Sequence, residues 1–275
     1  MSGTVAYPGP AGTHSHAAAA ILAPEEAERV ALPTFSAVVE ATASAETALG
    51  VLPIESSLVG PIAETHDLLY RSSLSIVREA TLAIRHYLVG VPGATLESIR
   101  VVRSHPAALD QCRVFVEGLG VEKIPAATTA DAARLVASDG DPAEAAIASL
   151  EAAETHGLEI LAADIGDHPE AYTRFVAVAP YTVVGPGEGW RTALSFVTDH
   201  RPGALFRALE PFARHELNMI QLVSRPLPES PFRSRFDLVL DGHVFDPEIR
   251  EALRELRGMT RALRLFGSYP AEGTT

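Results

Sequence analysis

The chain is poor in several residue types at once. Among its 275 residues there is one cysteine, Cys112, and one lysine, Lys123. A lone thiol excludes an internal disulfide, and its neighbours Leu109, Val114 and Phe115 mark Cys112 as a small buried hydrophobe rather than a nucleophile. Lys123 lies in Val121-Glu122-Lys123-Ile124 with no glycine-rich loop ahead of it, which removes Schiff-base and P-loop phosphate chemistry. No apolar run reaches the roughly eighteen residues of a membrane span. Met1-Ser2-Gly3-Thr4 carries no basic segment followed by an apolar one, so the expected location is the cytoplasm. Positive charge is scarce too: 22 Lys and Arg against 35 Asp and Glu leave a formal charge of −13, which argues against a broad nucleic-acid surface. A few positive groups suffice if the ligand is one small acid.

What the chain does have is apolar residues, at 47%, enough for one large domain or two to three smaller ones. Short apolar runs alternate with alanine-rich stretches of helical period: Thr4 to Tyr7, Ala17 to Leu22, Val30 to Leu32, Ala37 to Ala45, Leu49 to Ile54. This predicts an α/β layer with a mostly parallel sheet. An extended stretch, Leu74 to Val91, leads into a second such set, with a helix over Ala107 to Glu117 and another over Ala130 to Ala137. Two α/β lobes joined by crossing strands leave a cleft between them. Pro180 to Gly189, rich in Pro and Gly, reads as a linker. Beyond it the order is βαββαβ: strand Thr192 to Val197, helix Gly203 to His215, strands Met219 to Ser224 and Arg235 to Leu240, helix Pro247 to Arg257, strand Ala262 to Phe266. That is a ferredoxin-like unit, better suited to binding or regulation than to catalysis.

Four motifs carry the chemistry. Thr173-Arg174-Phe175 opens an apolar strand and places a hydroxyl and a guanidinium where a small anion can be held. Gly9-Pro10-Ala11-Gly12-Thr13-His14-Ser15-His16 joins the first strand to a helix, with Thr13, Ser15 and the first N–H groups as an anion cradle. Leu52 to Thr65 has the same layout, with Ser56, Ser57 and Gly60 in the turn and Pro61 at a helix start. Ser104-His105-Pro106 repeats it, with Gln111 two helical turns on. Each turn read alone is equally a helix cap worth about 1 kcal/mol. His14-x-His16 has no Cys or carboxylate at ligand spacing, so it reads as polar lining and no metal is expected.

Taken together, Gly-Pro-x-Gly-Thr, Pro-Ile-Glu-x-Ser, Ser-His-Pro with Gln and Cys, and Thr-Arg-Phe resemble the prephenate dehydratases, in that family's order and over nearly the whole chain. The resemblance implies a two-lobed, periplasmic-binding-protein-like catalytic domain over 1–180, with lobes of about 1–77 plus 165–180 and 78–164. It also implies an ACT domain over 190–270. The implied reaction is decarboxylating dehydration of prephenate to phenylpyruvate, without cofactor or metal. Thr173, Arg174, Phe175, Ser104, Gln111 and Ser56 are then catalytic, with Arg174 as carboxylate clamp, and Thr13, Ser15, Ser57 and Gly60 bind substrate. Gly203, Ala204, Leu205, Asn218, Ser224 and Arg225 form a phenylalanine site. A cytoplasmic homodimer or homotetramer, without nucleic-acid or membrane partners, completes the expectation.

Four positions depart from the family pattern. Ser56 stands for the usual Asn, Ala171 for an Asn, Val223 for a Glu and His14 for an aromatic residue. The changes at 56 and 171 leave open an arogenate dehydratase, or a ligand-binding relative without turnover. The change at 223 bears on feedback by phenylalanine.

Overall fold

In the computed structural model, residues 3–183, 185, 189–227 and 229–274 are described, with side chains described as far as Ala271. The chain starts with β1 (Thr4–Pro8), α1 (His14–Leu22), β2 (Glu28–Leu32), α2 (Phe35–Ala43), β3 (Leu49–Ser56), the two-residue β4 (Gly60–Pro61), α3 (Ala63–Arg71) and β5 (Ser75–Ala83). It continues with β6 (Tyr87–Gly90), β7 (Val101–Ser104), α4 (Pro106–Gln111), α5 (Arg113–Leu119), β8 (Glu122–Pro125), α6 (Thr129–Asp139), β9 (Glu144–Ala148), α7 (Leu150–His156) and β10 (Glu159–Ala162). Next come β11 (Tyr172–Ala179), β12 (Trp190–Thr198), α8 (Ala204–Arg214), β13 (Met219–Pro226), β14 (Ser234–Asp241), α9 (Pro247–Met259) and β15 (Thr260–Thr274).

Two sheets organise these elements. A small sheet runs β10-β6-β9-β7-β8, and a large one runs β13-β14-β12-β15-β5-β11-β3-β1-β2, with β4 paired to β3. The chain crosses from large to small sheet between β5 and β6 and returns between β10 and β11. The fold is therefore α/β, with a mixed rather than mostly parallel large sheet, because β11 runs antiparallel to both β3 and β5.

The pleat of β11 sorts the core. Phe175, Ala177 and Ala179 pack with Ala18, Ala19 and Leu22 of α1 on one face. Val176 and Val178 pack with Val38, Leu69 and Ile76 on the other, in a cluster that also takes in Ala193, Phe266 and Tyr269 from β12 and β15. Alternate side chains of one strand thus serve two separate cores.

Several sequence expectations are corrected. Leu74 to Val91 is not one extended stretch: Ile84, Arg85 and His86 separate β5 from β6. The helix over Ala107 to Glu117 is broken at Cys112, whose φ/ψ of −116/24 is not helical. Pro61 does not start a helix but pairs with Glu55 in β4, and α3 begins after Ile62 without a side-chain cap. The C-terminal βαββαβ order is as read, with strand order β13-β14-β12-β15. Its last strand, however, runs past Phe266 and pairs parallel with β5, joining that unit to the large sheet. Of the linker read over Pro180 to Gly189, residues 184 and 186–188 lie outside the described residues.

Candidate active site

Thr173 sits near the start of β11, where the chain has just returned from the small sheet. Its backbone pairs with Ser56 and Leu82, which holds it at the rim of the large sheet. A cleft of about 320 Å³ opens there, lined by Thr173 and Ile84 from the large-sheet side, His14 from α1, and His86, His105, Ala107, Ala108, Gln111 and 127–129 from the small-sheet side. The first turns of α1 and α6 face this space, as does the short α4. Helix N-termini carry partial positive charge and free N–H groups, so the cleft favours an anion although its lining holds no Arg or Lys among the described residues. The Thr173 hydroxyl makes no hydrogen bond among the described residues, so a ligand can use it.

Two imidazoles in the cleft, those of His14 and His86, are pushed toward the neutral form by their surroundings. Burial and the adjacent His86 push His14 down to about 4. Burial also lowers His86, with a hydrogen bond to Gln111 acting the other way. His86 Nε2 lies 2.8 Å from Gln111 Oε1, and the His14 and His86 rings meet edge-on at 6.3 Å between centroids.

Arg174 points the other way. It lies on the opposite face of β11, where Nη1 is 2.6 Å from Glu55 and Nε 3.1 Å from Glu79. Glu79 is 1% exposed and is held also by Arg191 of β12 and by the Tyr269 hydroxyl of β15 at 3.2 Å. Burial pushes the Glu79 carboxyl up against the pull of Arg174 and Arg191. A second cavity of about 350 Å³ opens beside Arg174, lined by Glu55, Ser56, Ser57, Gly60, Thr81 and Tyr172. Thr173 and Arg174 do not share a pocket, because neighbours on a strand face opposite ways. Arg174 therefore forms no carboxylate clamp in the Thr173 cleft, since it lies outside that lining with its guanidinium against Glu55 and Glu79.

Other expected residues are likewise already engaged. The Ser104 hydroxyl is fully buried and donates to Ile147 O at 2.7 Å, tying β7 to β9, and His105 rather than Ser104 caps α4. Thr13 caps α1, accepting from His16 N and donating to Pro10 O, with Ser15 half-buried in the turn that follows. Ser56 accepts from Leu58 N, and Ser57 accepts from Tyr172 N at 2.9 Å, which pins the start of β11. Phe175 is 2% exposed and packs in the α1-side core below Thr173. Gln111 does line the cleft.

The sequence profile of prephenate dehydratases matches residues 5–182. The chain belongs to the prephenate dehydratase family. It is 37% identical over 280 residues to arogenate dehydratase/prephenate dehydratase 2 of Arabidopsis thaliana, covering 98% of this chain and 73% of that protein. It is 35% identical over 240 residues to the bifunctional N-acyl-homoserine lactone acylase/prephenate dehydratase of Komagataeibacter europaeus, covering 86% and 85%. The structure of the Arthrobacter aurescens prephenate dehydratase in complex with L-Phe superposes with a TM-score of 0.88 at 32% identity, covering 97% of this chain and 90% of that one.

In this prephenate dehydratase family member the Gly-Pro-x-Gly-Thr turn has a further task. Gly12 has φ +84°, and a Cβ there would lie 2.9 Å from the Ala152 Cα of α7. Ser149 Oγ donates to Gly12 O at 2.7 Å, so the turn is clasped across the cleft by the small-sheet half. Sequence reading missed His86, His105, Thr128 and Thr129 as cleft residues. Thr128 was within reach: its hydroxyl accepts from Asp131 N, the Thr-x-x-Asp signature of a helix start. His86 gives no local signal, since only the crossing of the two sheets brings it to Thr173.

Proposed function

We propose that the chain converts prephenate to phenylpyruvate, carbon dioxide and water on the route to L-phenylalanine. The uncommitted Thr173 hydroxyl in a cleft between two sheets carries this reading. Loss of carboxylate and hydroxyl makes the ring aromatic, so the enzyme needs only to bind two anions and assist the leaving hydroxyl. Helix starts at α1 and α6 suit the anions, Thr173 the hydroxyl and Gln111 a polar ring contact. Ser56, Ser57 and Gly60 act from the other side of β11 by fixing its register, and no cofactor or metal is required. Arogenate is a second substrate candidate, because the Arabidopsis relative carries both names. The two acids differ at a side-chain keto or amino group remote from the leaving hydroxyl.

Residues 1–180 form the catalytic domain in this reading, with lobes of about 1–77 plus 165–180 and 78–164. Residues 190–270 are an ACT domain, supported by the βαββαβ order and by the L-Phe bound to the Arthrobacter neighbour. Gly203 holds φ +74° as it leads into Ala204 and Leu205 of α8, and these three with Asn218, Ser224 and Arg225 are the candidate effector site. Arg225 already pairs with Asp67 of α3 at 2.7 Å, and Asn218 donates to Asp241 at 2.6 Å. An effector therefore competes with, or rearranges, contacts inside the chain. A cytoplasmic homo-oligomer built through these domains completes the proposal.

The test is turnover of prephenate and of arogenate by the full chain, with and without phenylalanine, and with an N-acyl-homoserine lactone as a third substrate. Phenylpyruvate is read as its enol in base. Phenylpyruvate from prephenate is the expected result. Calorimetric heat on adding prephenate without product makes the chain a binding protein instead.

A further inference from the structure

The reaction proposed above consumes a proton. Prephenate, a dianion, becomes the phenylpyruvate monoanion, carbon dioxide and water, so a proton must reach the departing oxygen in every turnover. A threonine hydroxyl is too weak an acid to give one up near neutrality unless it is replaced at once. The titratable side chains lining the cleft, among the described residues, are the imidazoles of His14, His86 and His105.

These three differ in what their nitrogens do. His105 is exposed, and its Nδ1 accepts from Ala107 N at 3.2 Å in its own helix cap. His14 meets His86 edge-on. His86 is 5% exposed, and the carbonyl oxygen of Gln111 on its Nε2 fixes the hydrogen of the neutral ring there. Its Nδ1 is therefore the lone-pair nitrogen, and it has no partner among the described residues. A buried polar atom without a partner calls for one, and on a side chain that lines the cleft it points to a partner that arrives with the ligand.

We propose that His86 is a catalytic residue whose Nδ1 delivers the proton to the oxygen leaving the ring. The electron pair of the ring–carboxylate bond moves into the ring as carbon dioxide departs. The carbon–oxygen pair leaves with the hydroxyl, and the Nδ1–H pair returns to the imidazole. Water is released, His86 is left neutral with Nε2–H still on Gln111, and solvent reloads Nδ1. Thr173 orients the same oxygen by a hydrogen bond. Burial disfavours the charged form of this imidazole, whereas a bound dianion favours it. The groups packed around His86 are His14 of α1, itself influenced by Glu151 of α7, Gln111 and His105 beside α4, and the segment after β10, where Ile165 N bonds to His86 O. The exposed Arg85–Asp164 pair flanks it in the chain.

The test is the pH profile of kcat for prephenate with the full chain, between about pH 5 and pH 9. The wild type should lose activity on the alkaline side. His86→Phe should lower kcat about a hundredfold or more with KM little changed, and should lose the alkaline limb. His86→Ala should regain activity with added imidazole, in proportion to its protonated fraction. Gln111→Glu, isosteric and chosen in case the His86 variants do not fold, should move the limb upward by about one pH unit, because a carboxylate on Nε2 favours the imidazolium. A wild type without product would defeat the proposed reaction itself. An active wild type with a His86→Phe variant of near-normal kcat, or a Gln111→Glu variant whose limb stays in place, would overturn the role of His86 alone.

Discussion

The two faces of β11 differ in kind. The Thr173 face opens on a cleft of imidazoles, small hydroxyls and helix starts, with no Arg or Lys and an unengaged hydroxyl among the described residues. The Arg174 face is dense with charge: Glu55 and the buried Glu79 flank its guanidinium beside a second cavity, and Arg191 and Tyr269 also hold Glu79. Consecutive residues of one motif thus serve different ends. One faces the cleft, and the other, through Glu79, ties the strand that carries it to the C-terminal unit. Distance along the sequence is a poor guide to a shared site wherever the backbone is extended.

The sharpest way to break this contrast is Arg174→Leu. If Arg174 is an anchor, the change takes one of three partners from the buried Glu79, which keeps Arg191 and Tyr269, and should destabilise the fold by about 3 kcal/mol in urea or thermal unfolding. A variant of normal stability that had lost only substrate affinity would return Arg174 to the cleft. Thr173→Ala should do the opposite. It should lower kcat about a hundredfold, equivalent to about 2.7 kcal/mol in the transition state, while unfolding shifts by no more than about 0.5 kcal/mol. The smallest expected effect is titration of the cleft. His14, pushed from 6.5 down to about 4, binds fewer protons folded than unfolded throughout that interval, so stability falls as the medium is acidified and is level above it. The loss between 6.5 and about pH 5 should be about 1.5 kcal/mol, and His14→Phe should remove that part of the slope. An unchanged slope in the variant would place the titration elsewhere.

Much of the architecture was legible beforehand because it rests on local periodicity. Runs such as Ala145 to Ala148, fully buried in β9, cannot be mistaken for surface, and the βαββαβ order follows from turns and alternation. What was not legible depends on long-range register. That β15 would lie against β5, with Ala271 opposite Glu79, follows from no nearby residue. The side on which Arg174 falls was in principle readable from the pleat, since Phe175 belongs to one core and Val176 to the other. The chemistry of the motif as a compact tripeptide drew attention from that alternation. Ser104 misled for a related reason: a hydroxyl before a proline-led helix suits a cap, but here Ser104 is 0% exposed and bonds across to Ile147.

The pairing of β15 with β5 bears on anyone wishing to trim this protein. Cutting after Ala179 would strip β5 of a neighbour and leave its backbone as a bare edge, inviting self-association. It would also take Arg191 and Tyr269 from Glu79, leaving an acid at the heart of the fragment half-partnered. The front portion, cut free, should therefore be less stable than the intact polypeptide, which should melt in a single step.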